Sequence, residues 1–276
     1  MAFRLFVSDL DDSLLNDASE LSPRTLRALS ALMRKGVYVV LASGRMVEAM
    51  LPYARQVQPN APLIAYNGGM VYDVSAQKAL DLLPVPMATA REVAKMAEDM
   101  GIHIQAFDET GYYYAEDNAS SAFYASKIRI PGRAVHRKLS EAINRDLCKM
   151  LMVVDPEEAP VLAEKFRETF AGRINCAISR PYYVECTGIG ADKGAALKLV
   201  SARLGVKREE IIAFGDAQND MTMLNYAGRG CAVANARQEV LEQVRWIVPD
   251  NDSDGIAKVL EMLLEDGAFD AEGAPA

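Results

Sequence analysis

FVSDLDDSLL, residues 6–15, runs from an apolar stretch straight into three carboxylates, Asp9, Asp11 and Asp12. Like charges this close oppose one another's ionisation unless a cation or hydrogen-bond donors neutralise them. The ordinary explanation is a turn in which an aspartate caps a helix. The neighbouring chain argues for more. Phe3 to Ser8 is short, apolar and partly β-branched, the pattern of a strand buried on both faces, so its carboxyl end delivers Asp9.

Working outward, Ser22 and Pro23 predict an N-cap and first helical position, Leu26, Leu29, Leu32 and Met33 mark one face, and Gly36 ends the helix. Residues 37–42 (VYVVLA) predict a second buried strand, a helix follows through Val47, Met50 and Leu51, and LIAY predicts a third strand stopping at Asn67-Gly68-Gly69. Strand, helix, strand, helix, strand is the order of a doubly wound parallel α/β sheet.

Beyond Pro84 and Pro86 the pattern changes. A helix over 89–100 leads into two alternating strands, HIQAF and YYYA, around an Asp-Glu-Thr-Gly turn. MLMVV, a helix over 156–170, and the strands NCAIS and YYVEC, joined by a hairpin with Pro181 in its turn, complete a domain-sized α/β block. The first pattern then resumes with a helix from near Lys193, the strand IIAFG ending at Asp216, the strand CAVA, a helix over 238–243 and the strand WIV. The expected organisation is a core over 1–83 and 187–276 with an inserted domain over 84–186. The small, polar stretch GAFDAEGAPA, residues 267–276, reads as a disordered tail.

Composition narrows the partners. Thirty-eight acidic against 30 basic residues give a net charge of −8, which argues against a nucleic-acid backbone or an anionic membrane as the main partner. No export signal and no run long enough to span a bilayer is apparent, so a cytoplasmic protein is expected. Cys148, Cys176, Cys186 and Cys231 show no metal or redox spacing and read as buried free thiols. His103 and His136 lack a ligand partner at helical spacing. Oligomeric state is not readable.

In an open parallel sheet, ligands bind outside the carboxyl ends of the strands. Here every predicted core strand ends in polar groups suited to phosphate: Asp9 and Asp11, Ser43-Gly44-Arg45, Asn67-Gly68-Gly69, and Asp216 followed by Asn219-Asp220, with Lys193 opening the preceding helix. Each alone has an ordinary explanation, Ser43 as an N-cap, Lys193 as a solvated charge, Asp220 as a first-turn carboxylate. Their convergence does not. Several carboxylates at neighbouring strand ends make an oxygen-rich site for Mg²⁺.

These motifs resemble the haloacid dehalogenase (HAD) superfamily, in particular its Cof-type sugar-phosphatase branch: DLDDSLL the first signature, LASGR the second, GADKGAAL the lysine motif and GDAQNDMTML the acidic motif. The resemblance covers nearly the whole chain. It implies a Rossmann-like core with a large inserted α/β cap, and a Mg²⁺-dependent phosphatase of small phosphomonoesters, sugar phosphates above all. By the same resemblance Asp9 is the nucleophile and Asp11 the acid and base. Ser43 and Lys193 are catalytic phosphoryl ligands, and Gly44, Arg45, Asn67 and Asn219 belong to the substrate site. Asp9, Asp11, Asp216 and Asp220 form the metal site, Asp11 through its backbone carbonyl. Asp12 stands where the signature has glycine and Ser13 where it has threonine; the hydroxyl survives, and Asp12 adds a negative charge. A phosphomutase of the same superfamily and a phospho-acceptor signalling module are the alternative functions. The insertion and the Asp11 acid speak against the second, and a silent binding protein on this fold is disfavoured by the complete motif set.

Overall fold

The computed structural model describes residues 2–270. The first strand, β1 (Leu5–Asp9), is buried along its whole length and ends on Asp9. Ser22 caps α1 (Pro23–Arg34) by accepting from the Thr25 amide, with Pro23 at the helix start, as the sequence predicts. Then come β2 (Tyr38–Ala42), α2 (Val47–Val57) and β3 (Leu63–Ala65). The third strand stops a residue short of the expected LIAY, because Tyr66 and Asn67 turn into left-handed backbone at φ 53° and 55°. Two further strands, β4 (Met70–Asp73) and β5 (Lys78–Leu82), lie outside the predicted set.

The insertion contains α3 (Met87–Asp99), β6 (His103–Asp108), β7 (Gly111–Tyr114), α4 (Ala119–Ile128), β8 (Arg133–Ala134), α5 (Leu139–Ala142), β9 (Lys149–Val153), α6 (Ala159–Thr169), β10 (Ile174–Arg180) and β11 (Tyr183–Gly188). Its sheet has the order β10-β11-β9-β6-β7-β8 and is antiparallel except where β8 joins β7. One face, carrying Ile104, Ala106, Met150, Met152, Val184 and Cys186, packs in an apolar core with α3 and α6 residues such as Val93, Ala97 and Phe166. Pro181 and Tyr182 form the tight connection expected between β10 and β11.

The chain returns through α7 (Lys193–Arg203), β12 (Ile211–Gly215), α8 (Met221–Tyr226), β13 (Arg229–Val233), α9 (Gln238–Leu241), β14 (Trp246–Val248) and α10 (Gly255–Glu265). The eight-stranded sheet has the order β14-β13-β12-β1-β2-β3-β4-β5. Its pairs from β14 to β3 are parallel, and β4 turns back antiparallel on β3. The fold is therefore the predicted Rossmann-like core with an α/β cap.

The chain divides into two compact units, one of residues up to Ser43, Met50–Leu80 and from Asp192 on, the other of Gly44–Ala49 and Asp81–Ala191. The second takes in Gly44–Ala49, which the expected 84–186 insertion does not include. The expected disordered tail is corrected over its first residues. Phe269 is buried against Phe3, whose amide donates to the Ala268 carbonyl, and Lys35 pairs with Asp270. Residues 271–276 of that tail lie outside the described residues. All four cysteines are buried and free, with Cys176 and Cys186 facing each other across β10 and β11 at 3.1 Å between sulfurs.

Candidate active site

β1 lies between β12 and β2, so Asp9 and the Gly215-Asp216 pair emerge at the same carboxyl edge of the sheet. After Asp9 the chain makes a wide turn over Leu10–Leu14, closed by the Leu15 amide donating to the Leu10 carbonyl. The turn returns the Ser13 hydroxyl to the site, where it donates to Asp216 Oδ1 at 3.0 Å.

Lys193, the first residue of α7, is wholly buried and donates from Nζ to Asp9 Oδ1 and Asp220 Oδ1, each at 2.5 Å. Asp220 Oδ2 accepts the amides of Asp216 and Ala217 at 3.0 and 3.1 Å. Asp220 thus holds the loop after β12 to the lysine, an arrangement that requires Gly215, where a Cβ would collide with the Asp220 side chain. Gly68, which would serve equally as a plain turn glycine, has a larger role. At φ 92° it lets the Asp192 carbonyl approach where a Cβ would sit, and Asp192 caps α7 by accepting from the Ala195 amide.

Among the described residues, carboxylate oxygens of Asp9, Asp216 and Asp220 lie within 4.8 Å of one another. Burial pushes the Asp9 carboxyl well above the usual range; Lys193 opposes the rise, and Asp220, Asp216 and Asp11 add to it. Burial, then the charge of Asp220, raises Asp216 to about 7 against the pull of Lys193 and the Ser13 hydroxyl. Burial works against the Lys193 ammonium, yet Asp220 and Asp9 outweigh it and hold the ammonium above its ordinary range. Three carboxylates face one ammonium, so the cluster is short of positive charge. A hard, anionic, buried oxygen set of this kind fits a divalent cation such as Mg²⁺.

The remaining predicted residues are placed less centrally. Asp11 is half-buried in the turn and is not one of the three convergent carboxylates. Ser43 is buried just past β2, its amide donating to the Ile64 carbonyl and its carbonyl accepting from the Asn67 amide. Asn219 Nδ2 donates to Asn67 Oδ1 at 2.9 Å. Gly44 and Arg45 fall in the second unit. His103 and His136 also lie there, His103 beside Asn118 and Gln105, and His136 exposed beside Glu116.

Residues 6–260 match the family model of the haloacid dehalogenase-like hydrolases. The chain belongs to that family. It is a Cof-type member and a phosphoric monoester hydrolase. It is 27% identical to 5-amino-6-(5-phospho-D-ribitylamino)uracil phosphatase YitU of Bacillus subtilis, over 93% of this chain and 96% of that protein. Pyridoxal phosphate phosphatase YbhA of Escherichia coli is also 27% identical, over 94% of this chain and 98% of its own length. A crystal structure of a haloacid dehalogenase-like hydrolase from Bacteroides thetaiotaomicron superposes with a TM-score of 0.86 at 27% identity, covering 95% of this chain and 99% of that one.

Within this haloacid dehalogenase-like hydrolase the aspartate at the signature's glycine position has a conformational explanation. Asp12 adopts φ 57°, ψ 7°, left-handed backbone that glycine takes freely and aspartate tolerates better than most side chains. Its carbonyl accepts from Asn235 Nδ2 at 2.7 Å. No helix among the described residues is long and apolar enough to cross a membrane.

Proposed function

We propose that this hydrolase is a Mg²⁺-dependent phosphomonoesterase of small phosphorylated metabolites, sugar phosphates first among them, working through an aspartyl-phosphate on Asp9. The observation that carries the reading is the buried Asp9–Lys193–Asp220–Asp216 constellation at adjacent parallel strand ends. Its deficit of positive charge suits a divalent cation, whose charge would keep the carboxylate nucleophile ionised.

Asp9 Oδ would attack phosphorus as the bond to the leaving oxygen breaks, and Asp11 would give that oxygen its proton. Water then attacks the acyl phosphate, Asp11 takes the water's proton, and inorganic phosphate leaves with Asp9 restored as a carboxylate. Asp9 and Asp216, with the Asp11 carbonyl, would hold Mg²⁺, which would supply charge neutralisation. Asp220 supports that shell through Lys193 and the loop amides, each of its oxygens already accepting hydrogen bonds. The Ser43 hydroxyl and the Lys193 ammonium stabilise the phosphoryl oxygens, with Gly44, Arg45, Asn67 and Asn219 in the substrate site. The net charge of −8 accords with a small-molecule substrate rather than a polyanion.

The test is phosphate release across a panel of sugar phosphates, with pyridoxal phosphate and 5-amino-6-(5-phospho-D-ribitylamino)uracil added because relatives are named for them. Release from at least one compound, abolished by chelation and restored by Mg²⁺, is expected. Full turnover after exhaustive chelation, or no release from any compound, would overturn the proposal.

A further inference from the structure

The insertion's sheet has a second face, and it carries a buried charge that packing alone does not require. Lys149 opens β9 at 1% exposure, directly opposite Phe107 of β6, whose ring face lies 4.9 Å from its ammonium. Lys149 Nζ donates to Glu185 Oε1 on β11 at 3.1 Å and to the Gly44 carbonyl at 2.9 Å. Both side chains of the ion pair are nearly inaccessible, at 2% and 7%. Met150 and Met152, the alternating neighbours of Lys149, face the apolar core instead.

A buried ion pair is a poor device for stability, since apolar side chains of similar volume usually serve as well or better. This one does something an apolar pair cannot, because it donates to a backbone carbonyl of the segment Gly44–Ala49. That segment groups with the insertion although it directly follows Ser43 and β2. The same cluster holds Arg45: Tyr124 of α4, packed against Phe107 and Tyr183, feels the charges of Glu185 and Arg45 together. Glu48, three residues on, feels the charge of Asp108 at the end of β6. The residues after Ser43 are therefore fixed by the insertion's own strands, with Lys149 as the donor to the residue next to the serine.

We propose that Lys149, oriented by Glu185, is a positioning residue for the phosphoryl-binding loop Ser43–Arg45. The proposal rests on the phosphatase reading above, in which that loop meets the phosphoryl group. A loop that holds the phosphoryl oxygens alike in substrate, transition state and product contributes uniform binding, which appears in KM and in product inhibition and hardly in kcat.

The experiment compares the full-length wild type with Lys149→Met, measuring kcat and KM for a small aryl phosphate, the inhibition constant of inorganic phosphate, and the thermal midpoint. KM and the phosphate inhibition constant should rise together by about tenfold, with kcat within about threefold. Should Lys149→Met unfold, Lys149→Met/Glu185→Leu removes both charges of the pair and carries the same measurements. The proposal is overturned if both constants stay within about twofold in a folded variant, if KM rises without the phosphate constant, or if kcat falls alone. A wild type that releases no phosphate overturns the underlying reading instead.

Discussion

Ser13 donates its hydroxyl to Asp216 Oδ1 at 3.0 Å, joining the turn after β1 to the end of β12 across 203 positions of sequence. The bond is buried and orients a carboxylate that the proposed mechanism gives to Mg²⁺. Ser13→Ala is expected to weaken apparent Mg²⁺ affinity by about tenfold or more, whereas Ser13→Thr keeps the hydroxyl and stays within about threefold. Activity titrated against Mg²⁺ decides it, and identical curves for all three proteins would remove Ser13 from the site's support.

The left-handed backbone at Asp12 separates its role from that of Asp11. Asp12→Gly suits the φ of 57°, leaves the carbonyl that Asn235 holds, and should keep kcat within about tenfold. Asp11→Asn should lose about 10²-fold or more through the missing proton transfer. The comparison is kcat for both at saturating Mg²⁺, with folding checked by circular dichroism. An Asp12→Gly enzyme as inactive as Asp11→Asn, and rescued by excess Mg²⁺, would make Asp12 a metal ligand.

Gly68 and Gly69 offer a paired test of backbone constraint. Gly68 sits at φ 92° under the Asp192 carbonyl, while Gly69 has ordinary helical backbone at φ −64°. Gly68→Ala is expected to cost about 2 kcal/mol or more and to lower kcat by displacing the start of α7 and hence Lys193. Gly69→Ala should fold and turn over nearly as the wild type does. Thermal midpoints and kcat for the pair check this, and equal tolerance at both positions would contradict it.

These glycines also mark what was legible in the sequence. The parallel core was readable because its strands are apolar runs that end in Asp, Ser or Asn, and those ends are where a doubly wound sheet puts its ligands. The role of Gly68 depends on a carbonyl 124 positions later in the chain and leaves no local signal. β4 and β5 escape a reading of the sequence because both are short, β5 at the sheet's edge without a buried residue, and neither shows the alternation that identifies a strand with one buried face. α4, ASSAFYASKI, has no clean apolar stripe, whereas α10 carries one in Ile256, Leu260 and Leu263 and could have been found. Lys149 looks like any solvated strand lysine until Glu185 and Gly44 are brought to it by the sheet.

His103 gives stability a pH dependence away from the site. Burial lowers its folded value from 6.5 to about 4. Between those values the unfolded chain binds the extra proton and the folded chain does not, so this group destabilises the fold progressively as pH falls from 6.5 towards 4. Thermal midpoints measured across that window should fall less steeply in His103→Gln than in the wild type. Parallel slopes would show that His103 titrates normally in the folded protein.

In the proposed mechanism Asp9 becomes phosphorylated during turnover. Enzyme in excess over a hydrolysed substrate, with Mg²⁺, is quenched in acid within the first turnover, digested and analysed by mass spectrometry. One added phosphoryl group is expected on the peptide containing Asp9, formed and lost at rates consistent with kcat, with neither that adduct nor turnover in Asp9→Asn. Undiminished single-turnover phosphate release by Asp9→Asn, or a phosphoryl group found on a different residue, would contradict it.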